Sequence, residues 1–304
     1  MQVAMLGLGR MGMNMARRLL EKGHRVVAYN RTTRKTEDLA RQGAVAAHAL
    51  EDLADLLDAP RAVWMMLPAG SAVDEHLERL QGILSPGDIL VDGGNSFYKD
   101  SLRRAYVAEA AGLLYVDAGV SGGIWGRSEG YCLMLGGPQE AFHRLEPLFR
   151  SLAPEEGFIH CGESGAGHFV KMIHNGMEYA MMQSYAEGFE LMEASSYAKD
   201  LDYGRLSHVW NRGSVIRSWL LELLERAFSE DPDLSNIQGY VEESGEGRWC
   251  VHHAVEAGVS SPVIALSLFE RYRSRQENTF SNRIVAALRK EFGGHEVKKA
   301  GVKD

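Results

Sequence analysis

The 304-residue chain is poor in cysteine: its three thiols, Cys132, Cys161 and Cys250, stand far apart and are odd in number. A disulfide framework is not expected from such a set, and unpaired thiols, each expected to be inert core, fit a reducing cytoplasm. Long hydrophobic runs are missing as well. None approaches the roughly 18 residues a membrane-spanning helix needs, and the richest stretch, Ala62–Leu67, has the length of a strand. Residue 1 leads straight into a strand pattern with no basic segment before it, so no signal peptide is expected and the cytoplasm is the expected compartment. Positive charge is in deficit: 33 Lys and Arg against 41 Asp and Glu leave a net charge of −8, which argues against a general nucleic-acid binder. At 45% hydrophobic and 24% charged residues, the composition excludes disorder and collagen-like repeats. What the chain has in quantity is glycine, 33 residues bunched in short clusters where backbone can meet a ligand.

The length allows two domains, and the pattern changes once. Val3–Leu8, Arg25–Tyr29, Arg61–Leu67, Ile89–Val91, Leu114–Asp117 and Tyr131–Leu135 read as strands. Helical spacing fills Met11–Lys22, Thr33–Gln42, Val73–Leu84 and Tyr98–Ala111 between them. Such alternation predicts an α/β fold with a doubly wound, mostly parallel sheet. From about Gly165 the chain turns helical. Phe169–Ser195 lacks proline and predicts one long helix, and Leu201–Phe228, Arg248–Ala257 and Pro262–Phe292 continue in helical segments. We therefore expect a dinucleotide-binding domain over residues 1–163 and an all-helical domain over residues 164–304, with a loose tail in the last nine residues. No internal repeat is visible.

Gly7-x-Gly9-x-x-Gly12 lies where the first strand gives way to the first helix. Gly7 permits a tight turn, Gly9 lets a pyrophosphate approach the backbone, and Gly12 allows close helix–strand packing; the helix N-terminus offers its N–H groups to the phosphates. In this context the glycines predict a Rossmann-like dinucleotide site, against the plainer reading of a strand–helix turn. Leu8, Arg10 and Met11 in the same loop, Leu67 and Pro68 after the third strand, and Asn95 after the fourth complete it. An NAD-type site would carry a carboxylate at the end of the second strand, whereas this chain has Asn30-Arg31-Thr32 there, with Arg34 and Lys35 beyond. Arg31 can pair with a 2′-phosphate and Thr32 can add a hydroxyl donor, so NADP is expected, with NAD as the alternative.

Lys171, His174, Asn175, Glu178 and Tyr179 fall at i, i+3, i+4, i+7 and i+8 and share one helix face for two turns. Their helix is otherwise apolar, so a polar stripe here is expected to face a cleft; a solvated stripe is the bland reading. Asp92-Gly93-Gly94-Asn95-Ser96 and Val120-Ser121-Gly122-Gly123 flank strand ends, where ligands sit in doubly wound sheets. Gly136-Gly137-Pro138 is a third cluster, and any of the three could be only a turn. Near the C-terminus Arg271, Arg273, Arg275, Arg289, Lys290 and His295 form a basic patch suited to an anionic substrate, or to a plain surface helix. There is no HExxH or CxxC, and the adjacent His252-His253 point to different helix faces, so no metal is expected.

Taken together, Gly7–Gly12, Asn30–Thr32, Asp92–Ser96, Ser121–Gly123 and the stretch GHFVKMIHNGME from Gly167 to Glu178 resemble decarboxylating 6-phosphogluconate dehydrogenase in its short form, and the likeness runs on to FGGH at Phe292–His295. The wider β-hydroxyacid dehydrogenases share the glycine fingerprint, the Ser-Gly-Gly and a lysine like Lys171, but usually lack an acid like Glu178. The resemblance implies that Lys171 is the general base on the C3 hydroxyl while hydride leaves C3 for the nicotinamide. The 3-keto acid then loses C1 as CO2, and Glu178 protonates the enediol to give ribulose 5-phosphate. Desolvation and nearby cations would leave Lys171 partly neutral, and a partly apolar wall would keep Glu178 protonated.

By the same resemblance Asn95, Ser121, Gly122, Gly123, His174 and Asn175 hold the sugar acid, while Tyr179, Arg271, Arg289 and His295 grip its 6-phosphate. Arg289 and His295 would reach a neighbouring subunit's site, which implies a homodimer or homotetramer. Two departures stand out. Long-form relatives carry a lysine in a KGTGKW stretch where this chain reads Ser244-Gly-Glu-Gly-Arg248-Trp249, and Ile124-Trp125-Gly126 follows the Ser-Gly-Gly. The competing readings are a β-hydroxyacid dehydrogenase for a smaller, unphosphorylated acid, and a non-catalytic dinucleotide-binding protein.

Overall fold

A computed structural model describes residues 1–293 and 296–298. The apolar runs become strands buried on both faces, as parallel strands under helices must be. In order the elements are β1 (Gln2–Leu6), α1 (Arg10–Glu21), β2 (Arg25–Tyr29), α2 (Thr33–Ala40), β3 (Val45–Ala46), α3 (Leu53–Leu56), β4 (Ala62–Met65) and α4 (Ser71–Gln81). There follow β5 (Ile89–Asp92), α5 (Tyr98–Ala110), β6 (Leu114–Ser121), α6 (Gly126–Glu129), β7 (Cys132–Gly136), α7 (Gln139–Leu152) and β8 (Phe158–Gly162). The sheet order is β3-β2-β1-β4-β5-β6-β7-β8. All neighbours pair in parallel except β6 and β7, which are antiparallel. The strand order reverses at β1 and β4, and a doubly wound sheet opens its ligand crevice at such a point.

One core lies on each face of the sheet. Trp64, Met15, Leu19, Leu145 and Phe149 fill one side, and Leu6, Met65, Leu77, Leu80 and Tyr115 the other. Each of these buried side chains contributes roughly 1.5–3 kcal/mol relative to exposure. β6 runs to Ser121, four residues past its expected end at Asp117, because its antiparallel pairing with β7 continues to Ser121–Cys132. Besides the short β3, α3 and α6, two longer elements have no counterpart in the sequence pattern: α7, whose interior holds Pro147, and β8, whose residues are only half-buried or exposed. Cys250 is buried as expected, whereas Cys161 is half-buried and Cys132, at the open end of β7, is exposed.

The chain divides into two compact units, Met1–Gly176 and a second from Met177 onward. The expected long helix is present as α8 (Ala166–Glu193) and runs through that division. The second unit continues with α9 (Tyr203–Trp210), α10 (Trp219–Glu230), α11 (Glu246–Ala257), α12 (Pro262–Arg273) and α13 (Phe280–Gly293). Phe189, Leu221 and Phe228 form its core with Tyr203 and Trp210 packed against them. Asp202 caps α9 through the Arg205 N–H at 2.9 Å, and Ser218 caps α10 through the Leu221 N–H at 3.1 Å. Leu201–Phe228 thus holds two helices, and Pro262–Phe292 breaks before Asn278, which adopts a φ of 48°. Among the described residues no helix is long and apolar enough to cross a membrane. His295 and most of the expected tail lie outside the described residues.

Candidate active site

The first strand–helix turn has no room for side chains. Gly7 sits at φ 89°, and a Cβ there would press on the Met66 backbone; a Cβ on Gly12 would overlap the Gly7 carbonyl oxygen. Gly9 precedes α1 with open space about its Cα, so a phosphate can meet the N–H groups of that turn. The turn opens into a cleft of about 570 Å³ lined by Gly7, Gly9, Arg10, Met11, Gly12, Asn30, Arg31, Leu67, Pro68 and Asn95. Tyr29, Lys35, Met66, Ala72, His76, Gly93, Gly94 and Val120 line it too. This cradle fits a dinucleotide. Two expected members are not on its wall. Leu8 is buried, and its N–H donates to Asn30 Oδ1 at 2.8 Å, while the Asn30 amide donates to the Thr32 carbonyl at 3.2 Å. Asn30 therefore ties the glycine turn to the end of β2, and Thr32 is exposed beyond it. Arg31 and Lys35 are exposed and make no ion pair among the described residues.

The loop after β5 is held by a buried polar network. Asp92 accepts from Gly94 N–H, Ser96 Oγ, Arg104 Nη1 and Tyr115 OH at 2.9–3.2 Å. Arg104, fully buried, also donates to Asp74 Oδ1 at 2.8 Å and to the Gly70 carbonyl at 3.0 Å. One guanidinium thus joins the two loops that follow β4 and β5. Its bond to Asp74 holds that carboxyl below the usual aspartate range. Burial, then the neighbouring Asp92 charge, pushes the Tyr115 phenol well up. Asn95, at φ 50°, exchanges two bonds with Val120: its amide donates to the carbonyl at 3.1 Å, and its oxygen accepts the N–H at 2.9 Å.

That clamp fixes the end of β6 beside the start of α8. Asp117, buried in β6, accepts from Gly165 N–H at 2.5 Å and His168 N–H at 2.7 Å. A carboxylate there satisfies donors that a helix N-terminus cannot pair internally. The first turn of α8 lies flush on the sheet: a Cβ at Gly167 would come within 2.6 Å of Gly136 N, and one at Gly119 would overlap Lys171 Cβ. Lys171 is accordingly only 5% exposed, on a helix turn packed closely against Gly119 and Gly136. His174 Nδ1 lies 3.3 Å from Lys171 Nζ and 2.9 Å from Asn175 Oδ1. Nδ1 can donate to the Asn175 oxygen in one tautomer or accept from the Lys171 amine in the other, so the ring links the two side chains. Glu178, half-buried, follows two turns along the same helix. Ser121, Gly122 and Gly123 close β6, with Gly122 at φ 127° and Gly123 at φ 54°.

In the second unit, Tyr179 is buried and Gly247 packs on its ring. The Arg271 guanidinium stacks 3.3 Å over that ring and donates to the Glu242 carbonyl at 3.0 Å. The Ser244 N–H donates to the Tyr179 hydroxyl at 3.3 Å, and the Ser244 hydroxyl is taken by Glu246. Arg248 is exposed and pairs with Glu243 at 3.7 Å. Tyr179 and Arg271 are therefore brought together. Arg289 is exposed on α13 and lines a different cavity, with Asn282 and Arg283. Among the described residues no group of three or more His, Cys, Asp or Glu is placed to hold a metal ion. Arg104 and Asp117 escaped the sequence reading because their partners are remote in sequence, and Asp92 is legible only as part of its glycine cluster, not as the hub of this network. His76 escaped it because only the sheet order brings α4 to the cleft.

Residues 2–163 match the family profile described as the NAD binding domain of 6-phosphogluconate dehydrogenase, and residues 167–301 match that of the 6-phosphogluconate dehydrogenase C-terminal domain. The NAD(+)-dependent, decarboxylating 6-phosphogluconate dehydrogenase of Haloferax volcanii is 46% identical over 301 residues, covering 98% of this chain and 99% of that protein. The decarboxylating enzyme of Synechococcus elongatus is 37% identical over 289 residues; the match covers 90% of this chain but 61% of that longer protein. The Plasmodium falciparum 6-phosphogluconate dehydrogenase, solved in apo form and with NADP+ and 6-phosphogluconate, superposes with a TM-score of 0.82 at 28% identity, over 100% of this chain and 67% of that one. This chain belongs to the 6-phosphogluconate dehydrogenase family.

Proposed function

We propose that the chain oxidatively decarboxylates 6-phosphogluconate to ribulose 5-phosphate and CO2 with reduction of NADP. The observation that carries this reading is the buried Lys171 amine beside His174, with Glu178 on the same helix face. When bound, the nicotinamide supplies the acceptor for the C3 hydride. Lys171, stripped of water by its burial, takes the proton of the C3 hydroxyl. Its ammonium then polarises the new ketone. The C1–C2 bond breaks, CO2 departs, and the electron pair moves into the C2–C3 double bond as Lys171 returns its proton to O3. Glu178 protonates the former C2, which becomes C1 of the product, and Lys171 withdraws the O3 proton to leave the ketone. Asn95, Ser121, Gly122, Gly123, His174 and Asn175 orient the acid. Tyr179 and Arg271 hold the 6-phosphate, and Arg289 and His295 serve a neighbouring subunit's site.

NADP is preferred on this reading because, among the described residues, Arg31 and Lys35 make no ion pair at the end of β2 and no carboxylate lines the cleft. The NAD dependence of the Haloferax volcanii relative makes NAD the alternative. The domains meet between residues 163 and 164, and the protein works as a homodimer or homotetramer. Exposed Val263, Leu266 and Phe269 on α12 and Phe280, Ile284, Val285 and Leu288 on α13 form stripes that a second copy would cover. Glu178→Gln tests the chemistry. In rapid mixing with 6-phosphogluconate and NADP, the variant should reduce the cofactor and release CO2 while ribulose 5-phosphate lags. Product formed at the wild-type rate would remove Glu178 from its role.

A further inference from the structure

The cofactor cleft holds a histidine that the proposed chemistry leaves unused. His76, on α4 and half-buried, lines the same cleft as Tyr29, Arg31 and Lys35. Its Nδ1 lies 2.7 Å from the Ala72 carbonyl oxygen, one turn back on the helix. A carbonyl only accepts, so Nδ1 carries the hydrogen and Nε2 is left as the position where a further proton can bind. Nε2 has no hydrogen-bond partner among the described residues. The charges around it can be named. Arg10 reaches the lining from α1, Tyr29 and Arg31 from the end of β2, and Lys35 from α2. On α4 itself Asp74 is engaged by Arg103 and Arg104, and Arg79 by Glu51 at 2.9 Å, while Glu75 and Glu78 are exposed and do not line the cleft. The described lining contains no carboxylate to hold an imidazolium.

We infer that His76 is a specificity residue for the dinucleotide, binding a proton at Nε2 when a phosphate dianion lies between it, Arg31 and Lys35. A phosphate dianion beside Nε2 would accept a hydrogen bond from the protonated imidazole, which a neutral Nε2 cannot donate. Affinity for a 2′-phosphorylated dinucleotide is therefore linked to His76 protonation, and as pH falls the NADP-to-NAD preference gains relative to a variant that lacks the imidazole. This rests on the NADP reading proposed above, but the two can fail separately.

The experiment is calorimetric binding of NADP and NAD, without sugar substrate, from pH 8 to pH 5.5. Wild type, His76→Gln and His76→Lys are compared at each pH, so that titration of the 2′-phosphate itself is common to all three. Wild type should gain about three- to fivefold in its NADP-to-NAD affinity ratio relative to His76→Gln over this range, the size of a partly exposed ion pair. The gain should shrink at high salt. His76→Lys should hold the higher ratio at every pH. A His76→Gln ratio that tracks wild type throughout overturns the assignment. A wild type that prefers NAD at pH 8, yet gains NADP affinity on acidification only when His76 is present, removes the NADP reading and keeps this one.

Discussion

Arg31 and Asn30 are neighbours with different jobs. Arg31 reaches into the cleft unpaired, so Arg31→Ala should weaken NADP by about 1.5–3 kcal/mol, the range for a hydrogen bond to a charged group, and NAD much less. Equal losses in a binding titration would take Arg31 off the 2′-phosphate. Asn30 instead accepts the Leu8 N–H, so Asn30→Ala should weaken both dinucleotides alike, because it loosens the glycine turn that both require. Tyr131 tests a different point. Its hydroxyl is buried with no partner among the described residues, and burial pushes the phenol up to about 12. A folded value above the unfolded 10 means the stabilisation is complete below pH 10 and is lost as pH rises toward 12. Tyr131→Phe removes an unsatisfied group, so its melting temperature at pH 7 should equal or exceed that of wild type. Its decline between pH 10 and 12 should be shallower; a lower melting temperature at pH 7 would mean the hydroxyl has a partner after all.

The elements that place the site depend on close approach. A Cβ at Gly136 would lie 2.6 Å from both Asp117 Oδ1 and Gly167 N, neither of which can retreat. Gly136→Ala should therefore cost about 1–3 kcal/mol in denaturant unfolding and, by lifting the first turn of α8, lower kcat more than cofactor affinity. An unchanged kcat would show that Lys171 tolerates a displaced helix. How much of this could be read from sequence follows from where each signal resides. Strands β1, β2 and β4 and the glycine turn announce themselves through local apolar runs and a strand–helix junction, and the Lys171–Tyr179 face through helical spacing. α7 is masked by Pro147, and β8 by half-exposed residues without an apolar run. The Asp117 cap, the Arg104 junction and the Asn95 clamp join residues 25 to 51 positions apart or depend on the sheet order, so no local pattern carries them.

Along the chain, the dinucleotide cleft and the buried lysine belong to one unit and Tyr179 and Arg271 to the other, and α8 carries side chains of both. The acid side of stability follows from Asp74, whose carboxyl Arg104 holds below its ordinary value. A lowered folded value means the contribution is present above the unfolded pKa and lost as pH falls through the folded one, so acid unfolding should begin below about pH 4. Arg104→Met should reduce that dependence, with Arg103 still paired to Asp74, and should lower stability by leaving the buried Asp92 without its cation. The apolar stripes on α12 and α13 predict a mass of at least two chains by light scattering, and a charge placed at Phe269 should lower it. The most direct measurement is the initial rate with 6-phosphogluconate, run with NADP and with NAD, with CO2 collected. NADP reduction should be matched one to one by CO2, with none of either from unphosphorylated gluconate. Cofactor reduction without CO2, or equal rates on gluconate, would contradict the proposed function.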